Sequence, residues 1–139
     1  MSLQPLFDSP WVIQVHAFSA LAAFFLGIIQ LSSPKGTLPH RTLGAIWVIL
    51  MIAVTVSSVF IRPALVPGLP FMQWFSFIHL FTVLTAFGLF GGIRFLLMGG
   101  SNMKQHKGPF IGMFVGGLVV AGALAFLPGR IMNKVLFGG

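Results

Sequence analysis

Four long apolar runs, with nearly every charge confined to the stretches between them, set the terms on which this chain can fold. Hydrocarbon offers no water to a bare peptide group, so a run that crosses it must satisfy its own N–H and C=O groups as a helix. Trp11 to Leu31 is uncharged and has the length, about 20 residues, that a helix needs to cross about 30 Å of hydrocarbon. Asp8 or Ser9 can cap it, and Pro10 suits its first turn. SSPKGTLPH breaks the pattern, and a second run covers 43–61, closed by Arg62 and Pro63. PALVPGLP is apolar but proline-rich and is expected as an irregular interfacial segment. A third run covers 71–98, long enough to tilt, and GGSNMKQHKG is the polar loop that follows. Pro109 is placed to start the fourth helix, 110–127, and the tail GRIMNKVLFGG alternates basic and apolar residues as a short interfacial helix does. The expected fold is all-α: one integral membrane domain over 1–139, an antiparallel four-helix bundle with a short C-terminal interfacial segment.

The chain is 57% hydrophobic and 6% charged, against about a quarter charged in an ordinary soluble domain, so it cannot coat a soluble surface. Its opening MSLQPLFDSP lacks the basic segment of a secretory signal, so the first run reads as a retained span. Eight Lys and Arg stand against the single acid Asp8, yet they sit in ones and twos at the ends of apolar runs. That placement suits anionic lipid headgroups as partners; nucleic acid is not expected, because no basic stripe interleaves with aromatics. Four spans put both termini and the second loop on one side with Arg62, Arg130 and Lys134. Lys35, Arg41, Arg94, Lys104 and Lys107 lie on the other. The excess of positive charge favours loops one and three being cytoplasmic, with both termini on the opposite side of the membrane.

Cysteine is absent, which excludes disulfides, thiolate catalysis, Cys-based zinc, iron–sulfur clusters and covalent c-type haem. A lone carboxylate, Asp8, precludes paired-carboxylate hydrolysis, and no span holds the carboxylate that proton-coupled transport commonly uses. No catalytic residue is assigned.

Small residues mark contact faces in lipid, where hiding leucine from leucine gains nothing. His16, Ala20, Ala23, Gly27 and Gln30 lie at helical spacing on the first span. Ser76, His79, Thr82 and Ala86 share a line on the third, with Thr85, Gly88 and Gly92 beside it, and Gly112 and Gly116 form a GxxxG pair on the fourth. Phe24, Phe25, Phe60, Phe77 and Phe95 are expected to face lipid or fill gaps, and Trp11 and Trp74 to join the interfacial belt. Trp47 lies inside the second span without an evident role.

The four histidines carry the chemical clue. His16 lies about 8 Å past Trp11 and His79 about 13 Å past Pro70 at the helical rise, so the two reach similar depth on diagonal spans. Neighbouring axes about 8–10 Å apart put diagonal helices about 12–14 Å apart, a separation that suits two imidazoles on one haem iron. Zinc fits poorly, since two histidines leave its coordination unfilled whereas a porphyrin brings four nitrogens. Three readings stand together: His16 and His79 bind b-type haem, they contact a quinone, or they are neutral and lock the bundle through Gln14, Ser19, Ser76 or Thr82. His40 and His106 sit on the opposite rim beside basic residues, where they pack at the interface, contact lipid phosphate or form a second, weaker cofactor site. A non-catalytic accessory or assembly subunit of a larger membrane complex, or a homo-oligomer built on the small-residue faces, is the alternative to a cofactor module.

At PKGTLPHRTLGAIWVILM, FSFIHLFTVLT and IGMFVGGLVVAGALAFLPGRIM the chain resembles a bacterial family of predicted membrane proteins catalogued as domain of unknown function 2306. The resemblance covers nearly the whole length and implies four helices with histidines at His16, His40, His79 and His106. Relatives tend to carry further histidines where this chain has Arg62 and Asn133, so a site needing those is not expected here.

Overall fold

The protein is described as a computed structural model over residues 1–61 and 77–138, apart from the side chains of Phe77, Ile78 and Met103. A short helix, α1 (Gln4–Phe7), precedes the first span, α2 (Trp11–Ser32). The second span is α3 (Leu38–Phe60) and the third is α4 (Phe77–Met98). The fourth is one helical rod, Gly100–Ala125, that changes pitch along its length. It begins as a 3₁₀ segment (Gly100–His106), continues as α5 (Lys107–Met113), widens to a π segment (Phe114–Val120) and ends as α6 (Ala121–Ala125). A last helix, α7 (Ile131–Phe137), completes the chain. Among the described residues four helices are long and apolar enough to cross a membrane.

Antiparallel neighbours pack in chain order: α2 on α3, α3 on α4, α4 on α5 and the π segment, which closes the ring against α2. The first and third spans are therefore diagonal, as are the second and fourth. An even number of crossings returns the tail to the starting face, where α1 packs on α7. Ser2 N–H donates to the Val135 carbonyl at 3.0 Å there, and Leu6 and Val135 are buried between the two short helices.

Boundaries differ from expectation in three places. The second helix begins at Leu38 instead of Leu43, because Thr37 Oγ1 accepts from His40 N–H at 3.3 Å and Pro39 sits in the first turn, where a missing N–H is no loss. Residues 100–106, read as polar loop, are helical; two successive positive-φ glycines, Gly99 (φ 63) and Gly100 (φ 59), make the reversal after α4. Pro10 is the residue before the first helical turn and does not lie in it, and neither Asp8 nor Ser9 caps α2. Ser9 Oγ donates instead to Leu6 O at 2.5 Å, closing α1. The proline-rich connection after Arg62, the start of the third span at 71, Trp74 and Ser76 lie outside the described residues.

The core is one interdigitated layer: Ala23 from α2, Trp47 and Met51 from α3, Leu89 from α4, and Met113, Phe114 and Leu118 from the fourth span. Phe24 stacks on Phe114 with ring centroids 5.9 Å apart, so this phenylalanine fills the bundle. Phe25 (62% exposed) and Phe60 (66% exposed) face outward to lipid.

Glycines admit these rings. A Cβ on Gly92 would overlap the Phe110 ring, one on Gly27 would meet Phe114, and one on Gly117 would meet Thr85. The third span therefore meets the fourth through Thr85, Gly88 and Gly92, whereas Ala86 on the neighbouring line is exposed. The Gly112–Gly116 pair is split: Gly116 abuts Leu84, while Gly112 has nothing within 4 Å.

Candidate functional site

Among the described residues, the side chains other than Trp47 that hydrogen-bond between spans fall into two layers, one toward each face. On the terminal side, His16 turns into the bundle and not toward lipid. Its Nδ1 lies 3.1 Å from Val54 O and 3.0 Å from Ser57 Oγ, both on α3. Ser57 Oγ lies 2.6 Å from Ala53 O, so with the hydroxyl proton given to its own helix the imidazole Nδ1–H is the donor to α3. That fixes the tautomer and leaves the lone pair on Nε2.

The same layer continues across α3 to α4. Ser58 Oγ and Thr82 Oγ1 are 2.9 Å apart, and Thr85 Oγ1 donates to Thr82 O at 2.9 Å. His79 is half-buried, one helical turn from Thr82 toward the terminal face. Of the partners expected for His16 and His79 together, Gln14, Ser19, Ser76 or Thr82, none is the partner found for His16, which bonds to Val54 O and Ser57. Gln14 Nε2 turns to Phe7 O and Ser9 O at 3.0 and 2.8 Å, tying α1 to α2. The adjacent hydroxyls Ser57 and Ser58 were missed, although two serines inside an apolar run are a signal in themselves: each must find a partner in the bundle.

Between the layers stands Trp47, now with a role. It is 4% exposed, its Nε1–H donates to Ala23 O at 2.9 Å, and its ring meets Phe110 edge-on at 5.6 Å.

On the loop rim, His40 lies in the first turn of α3 and not ahead of it, and His106 ends the 3₁₀ segment instead of lying in a loop. Lys35, His106 and Lys107 are near enough to act electrostatically on His40. His106 packs edge-on against Phe110 at 5.7 Å. Gln30 Nε2–H donates to His40 O at 2.7 Å, in space that Gly44 opens, since a Cβ there would meet that nitrogen. Gln30 Oε1 and His40 Nδ1 are both buried with no hydrogen-bond partner. Among the described residues no three His, Cys, Asp or Glu side chains gather as a site for a bare metal ion.

Four apolar helices closed into a ring, with an imidazole at each end of the diagonals and no built-in metal cluster among the described residues, define a polytopic helical membrane protein. The chain belongs to the family described as predicted membrane protein (DUF2306), whose model matches residues 13–134 and so takes in all four histidines. No curated protein and no solved structure matches it.

Proposed function

We propose that the chain is an intramembrane cofactor-binding module in which His16 and His79, on diagonal spans, hold a b-type haem in the terminal-side layer. The observation that carries this is the posture of His16. A histidine that ligates a metal commonly donates its second ring N–H to a backbone carbonyl, which fixes the tautomer and aims the other nitrogen. Nδ1 of His16 makes that bond to Val54 O, with Ser57 beside it. The donor set suits a tetrapyrrole, which needs only two axial nitrogens from the chain. A bound haem would supply one-electron chemistry; the chain's part is to orient both imidazoles and, with the apolar core next to them, to keep water out.

The test is the visible spectrum of the protein expressed with ample haem and purified in mild detergent. A Soret band with b-type pyridine haemochrome, with the haem content reduced in both His16→Ala and His79→Ala, is expected. A colourless preparation removes haem; a co-extracted quinone lost in the same variants would make the layer a quinone site instead.

A second reading, an accessory subunit of a larger membrane complex, is favoured by the outer face of the fourth span, where Gly108, Gly112 and Gly122 have nothing within 4 Å. Co-purification in mild detergent tests it, and a stable lone monomer counts against it. In either case the protein is placed in a bacterial inner membrane, cationic rim inward against anionic headgroups, with both termini periplasmic.

A further inference from the structure

We propose that His40 and His106 form a second ligand site on the loop rim, for an anionic tetrapyrrole, with Gln30 as its positioning residue. His40 and His106 lie on the second and fourth spans, the other diagonal of the ring, as His16 and His79 lie on the first and third. In each pair the first and second spans are tied together at the histidine. The imidazole of the first span is held through Nδ1 by an oxygen of the second. On the second span the contact is to the backbone: the Gln30 amide of the first span donates its Nε2–H to the His40 carbonyl at 2.7 Å.

The two orphaned buried atoms there complement each other: Gln30 Oε1 can only accept, and imidazole Nδ1–H can donate. A buried polar atom left unpaired is destabilising. An Nδ1–H···Oε1 bond between them would satisfy both and leave Nε2 of His40 as the ligating nitrogen. An inorganic anion is a poor occupant, because the orphaned oxygen of Gln30 would repel it.

The charge around the site selects the ligand class. Lys35 and Lys107 act electrostatically on His40, Arg41 follows it in the chain, and the one acidic side chain, Asp8, belongs to the other face. A bare divalent cation meets only positive charge here. A tetrapyrrole brings its own four nitrogens and two carboxylates, which can pair with these cations at the interface. From His40 to Val54, the level of His16, the chain runs 54 − 40 = 14 residues along one helix, about 21 Å at the helical rise, so the two sites are separate. Trp47, Met51 and Phe114 fill the space between them.

Because this inference rests on the cofactor reading of His16 and His79, the test counts pigment in variants of both layers. Full-length protein expressed with ample haem is assayed for haem per chain by pyridine haemochrome, with His16→Ala, His40→Ala and His106→Ala beside it. Two haems per chain, falling to one in each variant, with His16→Ala losing the pigment that the other two keep, is the expected result. One haem, lost in His16→Ala and kept in His40→Ala and His106→Ala, overturns the rim site and leaves the first standing. The reverse pattern removes the first site and keeps the rim. A colourless wild type removes both. Should a rim variant fail to fold, the wild-type count still decides between one site and two. Gln30→Glu is the positioning test: a stronger acceptor for Nδ1–H should shift one reduction potential downward at an unchanged haem count. Unchanged potentials would remove Gln30 from its role.

Discussion

Trp47 shows how a single side chain joins sequence to packing in this protein. Inside a span an indole N–H needs a partner, and the carbonyl of Ala23 supplies it at 2.9 Å while the ring fills the gap against Phe110. Trp47→Phe is expected to cost about 0.5–1.5 kcal/mol for the lost bond, and Trp47→Ala about 3–5 kcal/mol through the cavity left, read as unfolding in a detergent titration. The Ser58–Thr82 pair should contribute less. Intramembrane hydrogen bonds average about 0.6 kcal/mol in double-mutant cycles, since the unfolded-in-membrane chain also finds partners. A coupling energy near zero for Ser58→Ala with Thr82→Ala would make the 2.9 Å contact incidental. At this scale the sequence was legible only in part. The inward aim of His16 followed from the rarity of ionisable groups in lipid-facing positions. Its partners, Val54 O and Ser57, did not, because a backbone carbonyl 38 residues away has no side-chain signature.

Helix contacts depend on which small residues face which neighbour, and composition alone cannot separate them. Gly92 and Gly112 are both glycines in apolar runs, yet one seats the Phe110 ring and the other faces open space. Gly92→Ala should therefore destabilise the bundle by about 1–3 kcal/mol as the ring is displaced. Gly112→Ala should be neutral or stabilising by up to about 1 kcal/mol through helix propensity. Equal effects of the two on detergent unfolding would contradict the split of the GxxxG pair. Span existence was plain from the apolar runs, and α2 matches its expected limits within one residue. The second and fourth helices begin earlier than read because proline and glycine were taken as breakers. Pro39 stands in the first turn of α3, where its missing N–H has no partner to lose, and Pro109 stands at the start of α5, where the 3₁₀ segment changes to α-helix. The π segment Phe114–Val120 had no sequence signal beyond its Gly116–Gly117 pair, which packs on Leu84 and Thr85. Such wide turns inside α-helices recur at functional sites.

For the molecule as a whole, the even number of spans and the pairing of α1 with α7 put the two termini on one face, and the proposed side of that face rests on the charge count. Lys35, Arg41, Arg94, Lys104 and Lys107 gather toward the rim opposite the termini. Insertion keeps the loops richer in Lys and Arg on the cytoplasmic side, the bias being counted in short loops such as these. Arg130 and Lys134 on the terminal face oppose that bias, so the margin is narrow and the topology can be moved by a few charges. A C-terminal alkaline phosphatase fusion should be active and a C-terminal fluorescent-protein fusion dark, while a cysteine in place of Lys104 should resist a membrane-impermeant maleimide in intact cells. Replacing Lys104 and Lys107 by Gln, together with two added lysines after Gly139, should invert the chain or give a mixed population. An inactive phosphatase fusion on the unmodified protein would reverse the assignment, placing the His16 layer toward the cytoplasm and the His40 rim toward the outside.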